Sequence, residues 1–241
     1  MFDFQIDENQ IEQIEGMTTA YPYCMHRRDL TDVVIPWHWH EELELGYLET
    51  GSSIISTLNA EYTVRQGDGF FINTNVMCSK RNATVGCRAV EINHIFHPIF
   101  LGGHFRSLFE TKYLQPILKN RQIEVILLRR DAPTGSAILQ KLIRLKELQS
   151  LPDAEFQTRN LLSETWLLLR EEVQRNVPIG MPPSESETRL RAMLSFIHSH
   201  YTEKLTLAQI AACAHISQRE TCAAFSAVCI KVQSNTLSPI A

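Results

Sequence analysis

The sequence lacks the features of a membrane-spanning or exported protein. No apolar run in its 241 residues approaches the roughly 18 needed to cross a bilayer. The acidic start, MFDFQIDENQ, is unlike a secretory signal. Its six cysteines form no C-x-x-C pair, which argues against a zinc ribbon or a thioredoxin-type redox site. We therefore predict a cytoplasmic protein with reduced thiols and no membrane partner.

Strong charge of one sign is also missing. The chain carries 23 basic and 27 acidic side chains, a net charge of −4, and residues 185–241 are only slightly basic. No P-loop, Gly-rich dinucleotide motif or Ser/His/Asp arrangement is present. These absences exclude the common nucleotide-dependent and triad enzymes, while 44% hydrophobic residues exclude wholesale disorder.

Hydrophobic periodicity divides the chain. Residues 20–100 contain short β-branched and aromatic runs separated by turn residues, which predicts a sandwich or barrel. From Ser136, and again over 155–174, apolar residues recur at helical spacing. The stretch 176–187, with three prolines, is typical of a linker. The predicted apolar stripes of the two helices are Ile138, Leu139, Leu142, Ile143, Leu145 and Leu148, then Phe156, Leu161, Leu162, Trp166, Leu169 and Val173.

A polar row marks the first predicted strand. Strand alternation over 38–44 places His38, His40, Glu42 and Glu44 on one face. Such a face is stable only when it is exposed or when it lines a wet cavity with bonding partners. The row therefore indicates a barrel wall or a ligand pocket.

The spacing H-x-H-x-x-x-E over His38, His40 and Glu44 resembles the first motif of the cupin family. In metal-binding cupins the resemblance would make these three residues ligands of a divalent cation. The family's further histidine is replaced here by Cys78, and the motif's leading glycine is missing. We therefore predict no cofactor, keep a divalent metal on His38, His40 and Glu44 as the alternative, and predict effector-binding residues His38, His40, Glu42, Glu44 and Cys78.

The C-terminal part predicts a helix-turn-helix. A first helix is expected from about Glu187 to Tyr201, and Thr206 is placed to cap a second helix with Gln209 at the capping-box position. The turn is expected at 214–216, where His215 would adopt the left-handed conformation. Ser217 would then cap the next helix.

The pattern L-x-x-I-A-x-x-x-x-I-S-x-R over 207–219 resembles the first helix-turn-helix of the AraC/XylS family of transcriptional regulators. That family's layout also places a barrel, helices and a linker before it. The resemblance implies a barrel that binds a small-molecule effector, dimerisation through 136–174, and binding to promoter DNA. It also implies DNA contacts from Ser217, Gln218, Arg219 and Thr221.

The sequence after Thr221 departs from the family pattern. The family continues with L-x-R-x-F, a G-x-S-P-x-x-Y-like segment and a second helix-turn-helix, none of which follows here. Regrouping the codons from Cys222 onward by one base permits a reading that restores L-x-R-x-F and S-P-x-x-Y in register. We therefore expect a frameshift near Thr221 and weakened DNA binding, since sequence-independent affinity falls with each lost phosphate contact.

These observations predict an α+β multidomain protein. The expected domains are a cupin-like, jelly-roll barrel over 1–105, a helical dimerisation segment over 106–175, a linker over 176–187, and an incomplete all-α helix-turn-helix domain over 188–241. The predicted function is effector-responsive transcription regulation and not catalysis, with an activator and a repressor both left as alternatives. Two alternatives remain, a metal-dependent cupin enzyme and a ligand-binding dimeriser without DNA-binding activity.

Overall fold

The computed structural model describes residues 5–7, 10–176, 189, 192, 193, 196 and 205–223. The chain divides into two compact units, Met1–Ile179 and Gly180–Ala241. Most of the predicted linker and of the helix expected over 187–201 lies outside the described residues. The sequence expected to be frameshifted also lies outside the described residues from residue 224 onward.

The first unit is rich in strands. The strands of the described residues are β1 (Gln5–Ile6), β2 (Glu12–Gln13), β3 (Tyr23–Asp29), β4 (Ile35–His38), β5 (Leu43–Thr50), β6 (Ser52–Thr57), β7 (Glu61–Arg65), β8 (Gly69–Ile72), β9 (Cys78–Asn82), β10 (Val90–Phe96) and β11 (Val125–Leu128). Two antiparallel sheets carry most of them, with strand orders β11-β8-β5-β10-β3 and β4-β9-β6-β7, and β1 pairs with β2 in a separate ribbon.

Side-chain alternation assigns the two faces of the five-stranded sheet. Leu45 and Phe71 belong to an apolar cluster with residues of the helices that follow, so their side of the sheet is covered by helices. Successive strand residues point to opposite faces, so Glu44 and Phe70 lie on the other side. There an ion pair joins Glu44 to Lys80 of the four-stranded sheet. The space between the two sheets is therefore the interior in which the polar residues meet.

Two long helices cover the outer face of the five-stranded sheet. They are α3 (Pro133–Leu148) and α4 (Glu155–Asn176), after the shorter α1 (Ile99–Gly102), a π helix (Phe109–Leu114) and α2 (Gln115–Leu118). Pro133 suits the first turn of α3 because no helical N–H is needed there. Trp166 anchors α4, since its ring meets Phe71 edge-on at 5.9 Å and its Nε1 donates to the Tyr113 carbonyl at 2.9 Å.

Sequence periodicity predicted both long helices. Two residues of the predicted apolar stripes are exposed and not buried. Ile143 is 46% exposed and Phe156 72% exposed, whereas Leu142 and Leu162 are fully buried. The segment 106–175 is also not wholly helical, because β11 adds to the five-stranded sheet beside β8. Among the described residues, no helix combines the length and apolarity that a bilayer crossing requires.

The second unit shows the predicted capping and turn. The helix α5 (Leu207–Cys213) begins with a complete capping box between Thr206 and Gln209. His215 has a φ of 55° and so adopts the left-handed turn conformation. A second box caps the helix over 218–223: the Glu220 carboxylate accepts from the Ser217 backbone N–H at 2.9 Å, and Ser217 Oγ accepts from the Glu220 N–H at 3.2 Å.

Candidate functional site

A set of polar side chains lies between the two sheets. We call this set the inner polar cluster, and every member is buried. Its members come from β2, β3, β4, the β4–β5 connection, β5, β9 and β10. They are Glu12, Arg28, His38, His40, Glu44, Cys78, Lys80, Glu91 and Asn93.

The predicted single strand through 38–44 is wrong. Strand β4 ends at His38 and β5 begins at Leu43, and the two strands belong to different sheets. The residues between them form a bend, which alternation alone did not reveal. His38, His40 and Glu44 nevertheless all enter the inner polar cluster. Glu42 does not: its carboxylate lies 3.8 Å from His40 Nδ1, and its side chain is 20% exposed.

One half of the cluster is an ion triad around Lys80. Its Nζ donates to Glu44 at 2.6 Å and to Glu91 at 3.3 Å. Burial alone would raise the pKa of Glu44, but Lys80 and Arg28 lower it to about 2. Burial opposes the charged form of Lys80 as well, yet Glu44 and Glu91 raise its pKa above the ordinary value. Glu44 and Lys80 are therefore both charged at neutral pH.

The other half surrounds Glu12. Arg28 donates to Glu12 Oε1, while Glu12 Oε2 lies 3.6 Å from His38 Nε2 and 4.0 Å from His40 Nε2. Burial raises the pKa of Glu12, but Arg28 and the two histidines outweigh it and lower the pKa. Burial lowers the pKa of His38 to about 4, so that imidazole is neutral at pH 7.

Hydrogen bonds fix the orientation of both imidazoles. A carbonyl can only accept, so His38 Nδ1 donates to Pro36 O at 2.9 Å and His40 Nδ1 donates to Glu42 O at 3.0 Å. In neutral His38 the Nε2 nitrogen is then the acceptor. The same bonding pattern orients histidines that bind metals.

Cys78 lies beside His38 in the register of β4 and β9. Its Sγ is 3.9 Å from His38 Nε2, and burial raises the pKa of the thiol to about 12. A protonated thiol is a poor metal ligand. The ligand set implied by the cupin resemblance is thus only partly assembled: His38 and His40 converge, Glu44 binds Lys80, and Cys78 remains protonated.

Two buried acceptors of the cluster have no hydrogen-bond partner among the described residues: Glu91 Oε2 and Asn93 Oδ1. Asn93 Nδ2 donates to the other Glu91 oxygen at 3.1 Å, so the two side chains are oriented together. Buried acceptors without donors cost free energy, and native structures usually supply a partner. The cluster also holds three carboxylates against two cationic side chains.

The predicted DNA-contacting residues differ in exposure. Gln218 and Arg219 are exposed at the start of the helix over 218–223, and Ser217 is exposed but bound to Glu220. The interpretation of Thr221 is corrected: its side chain is buried, and its hydroxyl donates back to Ser217 O at 3.0 Å. Thr221 therefore stabilises the helix start and is not placed to contact a nucleic acid.

Sequence reasoning missed five members of the inner polar cluster, for two different reasons. Glu91 and Asn93 alternate with apolar residues in β10, so the period-two pattern could have identified them. Lys80 gave no such signal, because its neighbours in β9 are Ser79 and Arg81. Glu12 and Arg28 gave no such signal either. Glu12 lies in a two-residue strand outside both sheets, and its place depends on the backbone bonds that join residues 10 and 12 to Trp39.

Comparison with known proteins agrees with this architecture. Residues 21–164 match the family described as AraC-like ligand binding domain. The uncharacterized HTH-type transcriptional regulator YdeC of Bacillus subtilis (strain 168) is 24% identical over 231 residues, covering 93% of this chain and 77% of YdeC.

Two solved structures show further likeness. Wild-type ToxT of Vibrio cholerae strain SCE256, solved with a bound unsaturated fatty acid, aligns with a TM-score of 0.50 at 10% identity, covering 89% of this chain and 76% of ToxT. An RmlC-like cupin from Shewanella frigidimarina NCIMB 400 aligns with 32% of this chain and 67% of its own length, at 13% identity and a TM-score of 0.29.

Proposed function

The chain belongs to the AraC family through its AraC-like ligand-binding domain, and from this premise we propose that it regulates transcription by binding a small effector between its two sheets and promoter DNA through its second unit. The observation that carries the proposal is the inner polar cluster. Its nine buried side chains face the interior of a domain whose family is defined by ligand binding. The sequence similarity to YdeC favours a role in regulation rather than in catalysis.

The chemistry of the cluster favours an effector that donates hydrogen bonds. ToxT takes a fatty acid, but both cations of the present cluster already bind carboxylates: Arg28 binds Glu12, and Lys80 binds Glu44 and Glu91. A ligand carboxylate would add a fourth negative charge beside Glu91. An amine or polyhydroxylated ligand would instead satisfy Glu91 Oε2 and Asn93 Oδ1. We propose this class, with the predicted residues His38, His40, Glu44 and Cys78 lining the same interior and Glu42 at its edge.

A matched series of ligands tests the effector class. Hexylamine, hexanol and hexanoate differ only in their headgroup, and the melting temperature of the protein is measured with each at equal concentration. We expect hexylamine to raise it most, since only a bound ligand stabilises the folded state. The Glu91→Gln variant should abolish the preference for the amine over the alcohol. Greatest stabilisation by hexanoate would contradict the proposal.

DNA binding is proposed to depend on the exposed start of the helix over 218–223. Arg219→Ala should weaken binding to DNA upstream of the gene by about tenfold, as measured by fluorescence anisotropy at ~50 and ~200 mM salt. Arg65→Ala, at an exposed arginine of β7 outside 136–174, is the matched control and should change nothing.

The altered sequence after Thr221 is proposed to impair that binding. A frame-restored chain should bind on the order of a hundredfold more tightly than the 241-residue chain, because it regains the phosphate contacts of the family's second helix-turn-helix. Equal affinity of the two chains would contradict this. The nucleotide sequence provides a separate check, since the regrouped frame must encode a further helix-turn-helix.

We propose further that the protein forms a homodimer through 136–174 and acts in the cytoplasm. Exposed Ile143 on α3 and Leu167 on α4 support a homodimer through these helices. The alternative of a ligand-binding dimeriser without DNA-binding activity predicts effector binding together with failure of the anisotropy experiment. The alternative of a metal-dependent cupin enzyme has no further support in the cluster, because Glu44 is bound to Lys80.

A further inference from the structure

We propose that Glu12, His38 and His40 form a binding site for a divalent first-row metal ion. One ligand atom from each of the three side chains lies within 4.8 Å of the others, and all three side chains are buried. Two imidazoles with one carboxylate is a donor set that suits zinc, iron, nickel and cobalt. The site stands independently of the organic effector proposed above.

The atoms that face one another, Glu12 Oε2 and the two histidine Nε2 nitrogens, are the ones that would coordinate a metal ion. Each Nδ1 donates to a backbone carbonyl, at 2.9 Å for His38 and 3.0 Å for His40, which turns each Nε2 toward Glu12. Arg28 binds Glu12 Oε1, which leaves Oε2 on the side of the imidazoles. These carbonyls and this guanidinium are the outer partners that commonly orient metal ligands.

The distances from Glu12 to the two imidazoles require only a small contraction. Bonds of about 2.0–2.2 Å at tetrahedral or octahedral angles place neighbouring ligand atoms roughly 2.8–3.6 Å apart. Glu12 Oε2 is already 3.6 Å from His38 Nε2 and 4.0 Å from His40 Nε2. The ligand atoms of all three side chains lie within 4.8 Å of one another, so metal binding also requires the two imidazoles to approach each other. Three protein ligands would leave the remaining coordination positions to solvent or to a further ligand.

The site differs from the one that the cupin resemblance implies. There the carboxylate would be Glu44, which in this chain binds Lys80 at 2.6 Å. Glu12 precedes residues 21–164, the part that matches the ligand-binding family. A metal on this set would join the segment of β2 to the β4–β5 region, where Glu12 N already donates to Trp39 O at 3.0 Å.

Metal titration of the chelator-stripped full chain tests the proposal. We expect one Zn²⁺ per chain by isothermal titration calorimetry, and affinity reduced at least 100-fold in Glu12→Gln and His40→Gln. His104→Gln, at an exposed histidine, is the matched control and should bind as the wild type does. Circular dichroism checks the fold of each variant. Failure of the wild type to bind Zn²⁺ at micromolar concentration would overturn the site, as would loss of binding in Glu44→Gln with retention in Glu12→Gln.

Cobalt provides a measurement on the unaltered protein. Co²⁺ bound by the three-residue set should show ligand-field bands in the visible range and no thiolate-to-cobalt band in the near ultraviolet. A thiolate band that disappears in Cys78→Ser would overturn the proposed ligand set. Neither readout depends on the effector or on DNA, so the metal site and the proposed function succeed or fail separately.

Discussion

Replacing Lys80 by methionine is expected to lower the free energy of unfolding by about 3–5 kcal/mol, because the change leaves two buried carboxylates without their cation. Lys80 and Glu91 are fully buried and Glu44 is 2% exposed, so both carboxylates would stay largely desolvated without the ammonium. Methionine keeps most of the aliphatic length of lysine and its contact with Phe70, whose ring centroid lies 4.5 Å from Nζ. Urea unfolding at pH 7, followed by tryptophan fluorescence, measures the loss.

Two further variants separate charge from packing. Lys80→Met combined with Glu44→Gln should be more stable than Lys80→Met alone, because one of the uncompensated charges is removed. Lys141→Met breaks an ion pair in which Glu164 is 61% exposed, and it should cost less than about 1 kcal/mol. A cost for Lys80→Met that matches that of Lys141→Met would mean that the triad is not held as the structure shows.

The coarse architecture follows from local rules that the sequence displays. Short β-branched runs with turn residues predicted the strand-rich first unit, and the stripes through Leu142 and Trp166 predicted α3 and α4. The capping box at Thr206 and the left-handed turn at His215 also followed from local chemistry, because hydroxyl caps and turn geometry involve neighbouring residues alone. Such features need no knowledge of the tertiary fold.

The composition of the site depended on contacts between distant parts of the chain. Glu12 reaches the histidines through a short ribbon, and Lys80 meets Glu44 and Glu91 from the opposite sheet. Alternation predicted His38, His40 and Glu44 as members of one row, yet His38 ends β4, His40 lies in the bend and Glu44 lies on β5 of the other sheet. The predicted residues converge because the two sheets face each other. The alternation pattern of a single strand carries no information about how sheets pack.

Acidification from pH 6.5 to 5 is expected to destabilise the protein through two buried neutral histidines. Burial lowers the pKa of His94 to about 4, as it does for His38. Below the ordinary pKa of 6.5 the unfolded chain binds protons that the folded chain does not, so stability falls with pH until the folded pKa is reached. Each histidine should cost about 1.5 kcal/mol over this interval. The lowered pKa of Glu44, about 2, affects stability only near and below pH 4.5, the ordinary pKa of a glutamate. It therefore contributes little between pH 6.5 and 5.

His94→Gln isolates one of these contributions. His94 Nε2 donates to Leu142 O at 3.0 Å, and its Nδ1 accepts from the Tyr23 hydroxyl at 2.9 Å. Glutamine does not titrate, so the pH slope of the unfolding free energy should fall by about half, whatever the variant's stability at pH 7. His104→Gln, at an exposed histidine, should keep the full slope. Urea unfolding at pH 7, 6.5, 6 and 5 measures the pH slope of each variant. An unchanged slope in His94→Gln would show that His94 is not buried as a neutral imidazole between β10 and α3.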